Sequence, residues 1–395
     1  MNILFIFDKP FNPSLGGTER VTDLLTKALQ ERGYNIYYLS GKVKDTSILN
    51  YEFPTTQYTF KYEGLFDRPE NVEFYKELIK IHQIDIIINQ SGYHPSLNNC
   101  LDINVKKISV IHYDPQSLLK FDVDVLDKAN KNKISKLKFI LKQICYPYIK
   151  YIVRKRTYKF IQAHYNTLMS KSDAIILLSN KYLKDFYYFN IKPNRNTIVK
   201  GIPNPITFEK QQINFEHKEN IILYVGRLSI PDKNPFRLLQ IWDMLYRKNP
   251  NWKLVLVGDG PSEKELKNYV TTHNIQRVFF EGRQSDVLSY YRKASFICLT
   301  SNTEGWPMTL MEGMCCGCIP FSFNNYSAAS DIINNGINGC LIKPYQIKEY
   351  GSRLNFLMNN KELRRKMSIA AQKQATLFDK ENIIDKWETL FKEIL

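Results

Sequence analysis

Residues 296–312 read Phe296-Ile-Cys-Leu-Thr300-Ser-Asn-Thr-Glu304-Gly-Trp-Pro307-Met-Thr-Leu-Met-Glu312. Phe296–Thr300 is a short, near-continuous apolar run, which predicts a strand buried on both faces. Pro307 suits the first turn of a helix, where the N–H it lacks would have no partner anyway. A buried strand passing through a polar loop into a helix is the repeating unit of a parallel α/β sheet.

The same alternation runs outward in both directions. Apolar runs at Ile3–Phe7, Ile36–Leu39, Ile84–Ile88, Ile108–His112, Ala174–Leu178 and Ile198–Gly201 form one series of predicted strands. A second series comprises Ile221–Val225, Lys253–Val257, Val278–Glu281, Phe296–Thr300, Ile319–Phe323 and Cys340–Ile342. Helical patterns such as Thr18–Arg32, Pro235–Lys248, Ser262–His273 and Asp286–Lys293 lie between them. Two such series predict two Rossmann-like, doubly wound parallel-sheet domains. Gly201-Ile-Pro-Asn-Pro205 punctuates the chain between them. The expected domains are 1–203 and 204–377. Residues 378–395 place Ile383, Ile384, Trp387, Leu390, Phe391 and Ile394 on one helix face. That helix is expected to cross back and pack on the first domain.

Length and composition narrow the classes. With 395 residues, 44% hydrophobic and 24% charged, the chain is ordinary globular material for about two domains. No apolar run approaches the ~20 residues of a transmembrane helix. Met1–Asp8 reads as a first strand rather than a secretory signal, lacking a basic flank and a small-residue cleavage site. The seven scattered cysteines fit a reducing compartment, and Cys315-x-x-Cys318 has no second ligand pair nearby. The net charge of +16 is the outlier, and it is local. Between Lys128 and Ser172 there is no acid, and ten Lys and two Arg supply +12 of the total.

Four motifs can carry chemistry. At the helix opened by Pro307, the N–H groups of Met308, Thr309 and Leu310 are expected to be unpaired and to form an anion site. Glu304 before that site and Glu312 one turn inside can each accept hydrogen bonds from hydroxyls. Phosphates flanked by two polyols describe a nucleotide sugar; surface glutamates on an ordinary α/β unit are the alternative. Arg227 and Lys233, six apart after the strand Ile221–Val225, can both reach a diphosphate. Gly16-Gly17, before the first helix, allow close approach of backbone to a ligand. His112, with His94 as a weaker companion, stands at a strand end. It could donate to a sugar hydroxyl or to charge developing on a leaving group. Neither Gly16-Gly17 nor Gly258-Asp-Gly260 completes the G-x-G-x-x-G of a dinucleotide enzyme.

Taken together and in this order, Gly16-Gly17-Thr-Glu-Arg20, Gly226-Arg227…Lys233 and Glu304-x7-Glu312 resemble the retaining GT-B glycosyltransferases of family 4, the glycosyl transferases group 1. The resemblance implies two Rossmann-like domains facing a cleft. It implies that Arg227 and Lys233 neutralise a donor diphosphate and that Glu312 holds ribose hydroxyls. Glu304, with the backbone of Gly305, Trp306 and Met308, would hold the sugar, and the N–H groups of Thr309 and Leu310 would meet phosphate. Gly17, with Gly16, would face the diphosphate, Arg283 would lie near the base, and His112 near the reacting carbon. Gly313, Pro307 and Asn234 depart from the family's usual Ala, Gly and Gly. The implied reaction moves a hexose-type sugar, UDP-linked by preference, to a membrane-associated glycan or glycolipid in bacterial cell-surface polysaccharide synthesis, lipopolysaccharide or capsule. A same-fold enzyme without an acceptor, epimerase-like, is the alternative. No cofactor and no metal are expected: Asp122-Val-Asp124 sits in a polar stretch, and two cations can do a metal's electrostatic work.

The acid-free segment also carries an apolar series at Ile134, Leu137, Leu141, Ile144, Tyr148 and Ile152, with Pro147 expected to kink or divide the helix. Lys131, Lys133, Lys136, Lys138, Lys142, Arg154, Lys155 and Arg156 then form a basic amphipathic surface for anionic lipid. The expected location is cytoplasmic, peripheral to the inner face of the membrane. A core stripe with a solvated basic face is the plainer alternative. A nucleic-acid face has only charge to support it, and no nucleic-acid partner is expected.

Overall fold

The computed structural model describes residues 1–13, 16–42, 57–92, 103–120, 136–208 and 215–395, with side chains of 136–145 outside the description. It divides into two compact domains, Met1–Pro205 with Lys380–Leu395, and Ile206–Asp379.

Domain 1 carries β1 (Asn2–Phe7), β2 (Asn35–Ser40), β3 (Gln57–Thr59), β4 (Ile86–Asn89), β5 (Lys106–Ile111), β6 (Ala174–Leu177) and β7 (Ile198–Gly201). They form one sheet in the order β3-β2-β1-β4-β5-β6-β7, with every pairing parallel. Ile3 to Phe7 and Ile86 to Ile88 are buried throughout, as strands covered on both faces must be. The short edge strand β3 has no apolar run to mark it and was not among the expected strands. Among the described residues, helices α1 (Gly17–Glu31), α2 (Pro69–Ile81), α3 (Lys136–Lys171) and α4 (Leu183–Tyr187) lie between these strands. Helix α3 runs through Pro147 without dividing. Pro147 is solvent-exposed, so water can satisfy the carbonyl that loses its N–H partner.

Domain 2 repeats the plan. Its strands are β8 (Glu219–Val225), β9 (Lys253–Val257), β10 (Val278–Gly282), β11 (Ala294–Cys298), β12 (Ile319–Phe323) and β13 (Cys340–Ile342). Their order, β10-β9-β8-β11-β12-β13, again reverses after the first strand laid down. In such sheets the reversal leaves a crevice at the carboxyl ends of the two strands beside it, where ligands bind. In domain 2 those strands are β8 and β11.

The last helix of the chain, Lys380–Ile394, belongs to domain 1. Its buried face, Ile383, Ile384, Trp387, Leu390, Phe391 and Ile394, joins one core cluster with Ile3, Phe5, Leu25, Leu29 and Ile36. Arg32, just past α1, donates to Glu381 at 2.7 Å, Asp385 at 2.6 Å and Glu388 at 2.6 Å. One guanidinium thus clamps three carboxylates of that helix, and they raise its pKa further. Replacing Leu390 with Ala should cost about 2–5 kcal/mol of stability by opening a core cavity. Replacing the exposed neighbour Lys386 should change it by no more than about 0.5 kcal/mol. Urea denaturation followed by circular dichroism compares the two; equal losses would mean the helix is not part of that core.

Candidate active site

Backbone hydrogen bonds tie the loop after β8 to the neighbouring loops. Gly226 N–H donates to Val257 O at 3.0 Å, Gly258 N–H to Gly282 O at 2.7 Å, and Leu228 N–H to Asp259 O at 2.7 Å. Gly258 has φ +130, and a Cβ there would lie 2.1 Å from the Gly226 carbonyl oxygen, so only glycine permits this approach. Arg227 emerges with its side chain 63% exposed and reaches Asp232 at 2.5 Å.

A second lacing joins this loop to the one after β11. Asn302 N–H donates to Asp232 O at 2.9 Å, Asn302 Nδ2 to Pro231 O at 2.8 Å, and Arg237 to Thr300 O at 3.0 Å. Lys233 and Glu304, 71 residues apart, are thereby brought to 2.9 Å, Nζ to Oε2. Ser301 Oγ donates to the other carboxylate oxygen at 2.6 Å. Burial would lower the Lys233 ammonium, but Glu304 and Asp232 outweigh it, and its pKa is raised. Arg227, Asp232, Lys233 and Glu304 form a run of alternating charge at the carboxyl ends of β8 and β11.

The helix Met308–Cys315 begins beside Glu304, with Pro307 extended at its N-cap position. Leu310 N–H donates to the Pro307 carbonyl at 3.1 Å. The tight first turn therefore uses one of the three N–H groups expected to be open, and Met308 and Thr309 are the two that start the helix. Glu312 is buried, with Oε2 accepting from Tyr291 at 2.9 Å and Oε1 from Thr207 at 2.7 Å. A Cβ on Gly313 would fall 2.9 Å from Ile297 Cγ2. The departure from Ala at that position lets the helix lie against β11. Trp306 is buried, its ring 5.1 Å from Phe378, with no partner for Nε1 among the described residues. Gly305 lies in the loop before it, and Arg283 follows Gly282 at the carboxyl end of β10.

In domain 1, Gly16 and Gly17 stand at the start of α1, Gly16 extended at the N-cap. His112 follows β5, and its Nε2 is hydrogen-bonded to Gln90 Oε1. The carbonyl oxygen of Gln90 places the ring proton on Nε2, leaving Nδ1 a buried lone pair without a partner among the described residues. Burial lowers the His112 pKa to about 4, so the ring is neutral at pH 7. The expected donor is therefore arranged as an acceptor. His94, Asp122, Asp124, Lys131 and Lys133 lie outside the described residues, as do the side chains of Lys136, Lys138 and Lys142.

A family model described as glycosyl transferases group 1 matches residues 205–374, which takes in all of the domain 2 site. That match takes in most of domain 2 and none of domain 1 before Pro205. Over 384 residues, 95% of this chain and 96% of the relative, it is 28% identical to an uncharacterized glycosyltransferase of Haemophilus influenzae. Over 200 residues, 50% of this chain and 55% of the relative, it is 30% identical to an alpha-1,4-N-acetyl-D-galactosaminyltransferase of Campylobacter jejuni, named for a diNAcBac-PP-undecaprenol glycan. Anabaena HepE, crystallised with UDP-glucose, superposes with a TM-score of 0.70 at 19% identity, covering 99% of this chain and 100% of that one. At that identity the likeness establishes the fold, GT-B. The relatives thus include glycosyltransferases named for bacterial glycans.

Five site neighbours escaped the sequence reading: Asp232, Ser301, Tyr291, Thr207 and Gln90. Asp232 and Ser301 sit one and three residues from expected positions, so proximity was a usable signal. Tyr291, Thr207 and Gln90 meet Glu312 and His112 only through the fold.

The His112 shift has a pH consequence. Its folded pKa lies below the unfolded value of about 6.5, so the unfolded chain binds a proton first as pH falls. Stability from this group is complete above about 6.5 and declines as pH falls toward about 4. A His112→Asn variant should lose that slope between pH 6.5 and 4 in denaturation midpoints, and an unchanged slope would remove the claim of burial.

Proposed function

We propose that this glycosyltransferase moves a hexose-type sugar from a UDP-linked donor to a lipid-linked glycan at a bacterial membrane, with retention and without a metal. The observation that carries the donor reading is the Arg227–Asp232–Lys233–Glu304 run beside the start of the helix Met308–Cys315. In the free protein two cations are neutralised by two carboxylates. A diphosphate carries the charge to replace both carboxylates as their partner, Arg by its planar fork and Lys as a point charge. Glu304, released from Lys233, then accepts from sugar hydroxyls together with the Gly305–Met308 backbone, and Met308 and Thr309 offer N–H groups to phosphate. In domain 1, Gly16 and Gly17 at the start of α1 allow close approach of backbone to a ligand, and in domain 2 Arg283 is assigned to the base.

In the transfer, the bond from the sugar's anomeric carbon to the diphosphate oxygen breaks as the acceptor oxygen bonds to that carbon on the same face. The acceptor proton passes to the departing diphosphate. Arg227 and Lys233 lower the barrier by stabilising charge that grows on the leaving group, the work a metal does elsewhere. In domain 1, His112 offers Nδ1 as an acceptor for a hydrogen bond from a hydroxyl. UDP is favoured because the superposed Anabaena protein holds UDP-glucose. A lipid-linked acceptor is favoured by the undecaprenol glycan in the Campylobacter relative's name.

The membrane side of the proposal rests on α3. Tyr148 is 68% exposed and Tyr151 59%, and Ile149, Ile152 and Phe160 are exposed with them. Arg154, Lys155, Arg156 and Lys159 share that outer surface. Tyr188 adjoins it, its ring 6.0 Å from that of Tyr158. Exposed aromatics and aliphatics between cations suit an interfacial, anionic-lipid contact at a cytoplasmic membrane face. Among the described residues no helix is long and apolar enough to cross a membrane.

Arg227→Ala and Lys233→Ala should each lower kcat by about 10²–10³-fold with a UDP-hexose and lipid-linked acceptor. A donor at 100 times its Kd should add about 2.7 kcal/mol of stability to the native chain. Unchanged transfer in both variants would sink the site assignment, and sugar turnover indifferent to acceptor would favour the acceptor-free alternative. Joint replacement of Lys155 and Arg156 by Glu should weaken sedimentation with phosphatidylglycerol vesicles and leave neutral vesicles unaffected. Equal binding by wild type and variant would remove α3 from the membrane contact.

A further inference from the structure

Glu312 is 1% exposed, and hydroxyls occupy both of its oxygens. The two donors differ in setting. Tyr291 is wholly buried near the end of the helix Leu288–Lys293, and the Phe208 ring meets it edge-on at 6.1 Å. Its hydroxyl, 2.9 Å from Oε2, has a fixed place. Thr207 is half-buried, outside any helix or strand, one residue past the start of domain 2. Its hydroxyl lies 2.7 Å from Oε1.

A buried carboxylate must keep its lone pairs satisfied. Thr207 satisfies Oε1 with an O–H group, the same group a ribose offers. The geometry points to Thr207 as a placeholder: its hydroxyl holds the Oε1 position that a ribose hydroxyl of the nucleotide takes, and binding displaces it. Tyr291 stays on Oε2 and is a positioning residue, keeping the carboxylate aimed in both states. This inference rests on the donor reading given above. Displacement exchanges one O–H···O⁻ bond for another, so the wild-type protein gains little affinity from the contact. A nucleotide without ribose hydroxyls leaves Thr207 where it is. Thr207 thus sets how strongly the site discriminates for those hydroxyls.

Calorimetric titration of the full chain with UDP and with 2′,3′-dideoxyuridine diphosphate tests this. Thr207→Val removes the placeholder's hydrogen bond to Oε1, which a ribose hydroxyl then supplies without displacing anything. It should bind UDP about tenfold more tightly than wild type, the worth of one net hydrogen bond. The dideoxy ligand cannot relieve Oε1 and should bind wild type and variant alike. Thr207→Ala should behave as Thr207→Val does, covering a variant that fails to fold, and Thr207→Ser should match wild type. Tyr291→Phe should weaken UDP about tenfold and leave the dideoxy ligand unchanged. If wild type binds UDP but the Thr207 variants bind it equally or more weakly, or shift both ligands together, the placeholder is overturned and the donor site stands. If wild type binds neither UDP, GDP nor ADP, the donor reading falls and takes this inference with it.

Discussion

The Lys233–Glu304 ion pair, 2.9 Å between an ammonium and a largely buried carboxylate, is the constraint around which domain 2 is arranged. Removing either partner would leave a charge in a poorly solvated place, which proteins tolerate badly. The contact exists because two loops from non-consecutive strands are laced by Asn302, Arg237 and the backbone of Asp232. Those loops meet because the sheet order reverses between β8 and β11. The chemistry at the site therefore depends on the topology, and the topology on strands apolar enough to be buried on both faces.

The same pair makes the resting site electrically satisfied. Arg227 rests on Asp232 and Lys233 on Glu304, while Glu312 is satisfied by Tyr291 and Thr207. Each of these charged side chains already has a partner from the protein itself. On the donor reading proposed above, binding exchanges partners at these side chains. Exchange of partners yields less net affinity than a bond made from nothing, because a bond is given up for each one formed. The pairing also keeps the buried charges compensated by the protein's own groups. His112 is the exception, with a buried Nδ1 that has no partner among the described residues.

Most strands were legible because parallel strands read as continuous apolar runs. Lys253–Val257, Ile319–Phe323, Cys340–Ile342 and Ile198–Gly201 match the structure to the residue. β3 was not legible: three residues at a sheet edge need no apolar run, and Gln57-Tyr-Thr59 has none. Pro147 does not divide α3, because its effect depends on whether water reaches the freed carbonyl, a matter of exposure rather than of sequence. At the site, residue types within one loop were readable from spacing. Tyr291 and Gln90 were not, since each meets its partner across the fold.

The sequence by itself determined the class of fold, the acids and cations of the site, and which face of the last helix is apolar. These follow from local periodicity and side-chain chemistry, which need no knowledge of distant neighbours. Only the tertiary structure decided which core residues the last helix meets, that Lys233 faces Glu304, and that His112 is a neutral acceptor. Each of these depends on residues 22 to nearly 400 positions apart meeting in space. Protonation, pairing and burial are properties of such meetings.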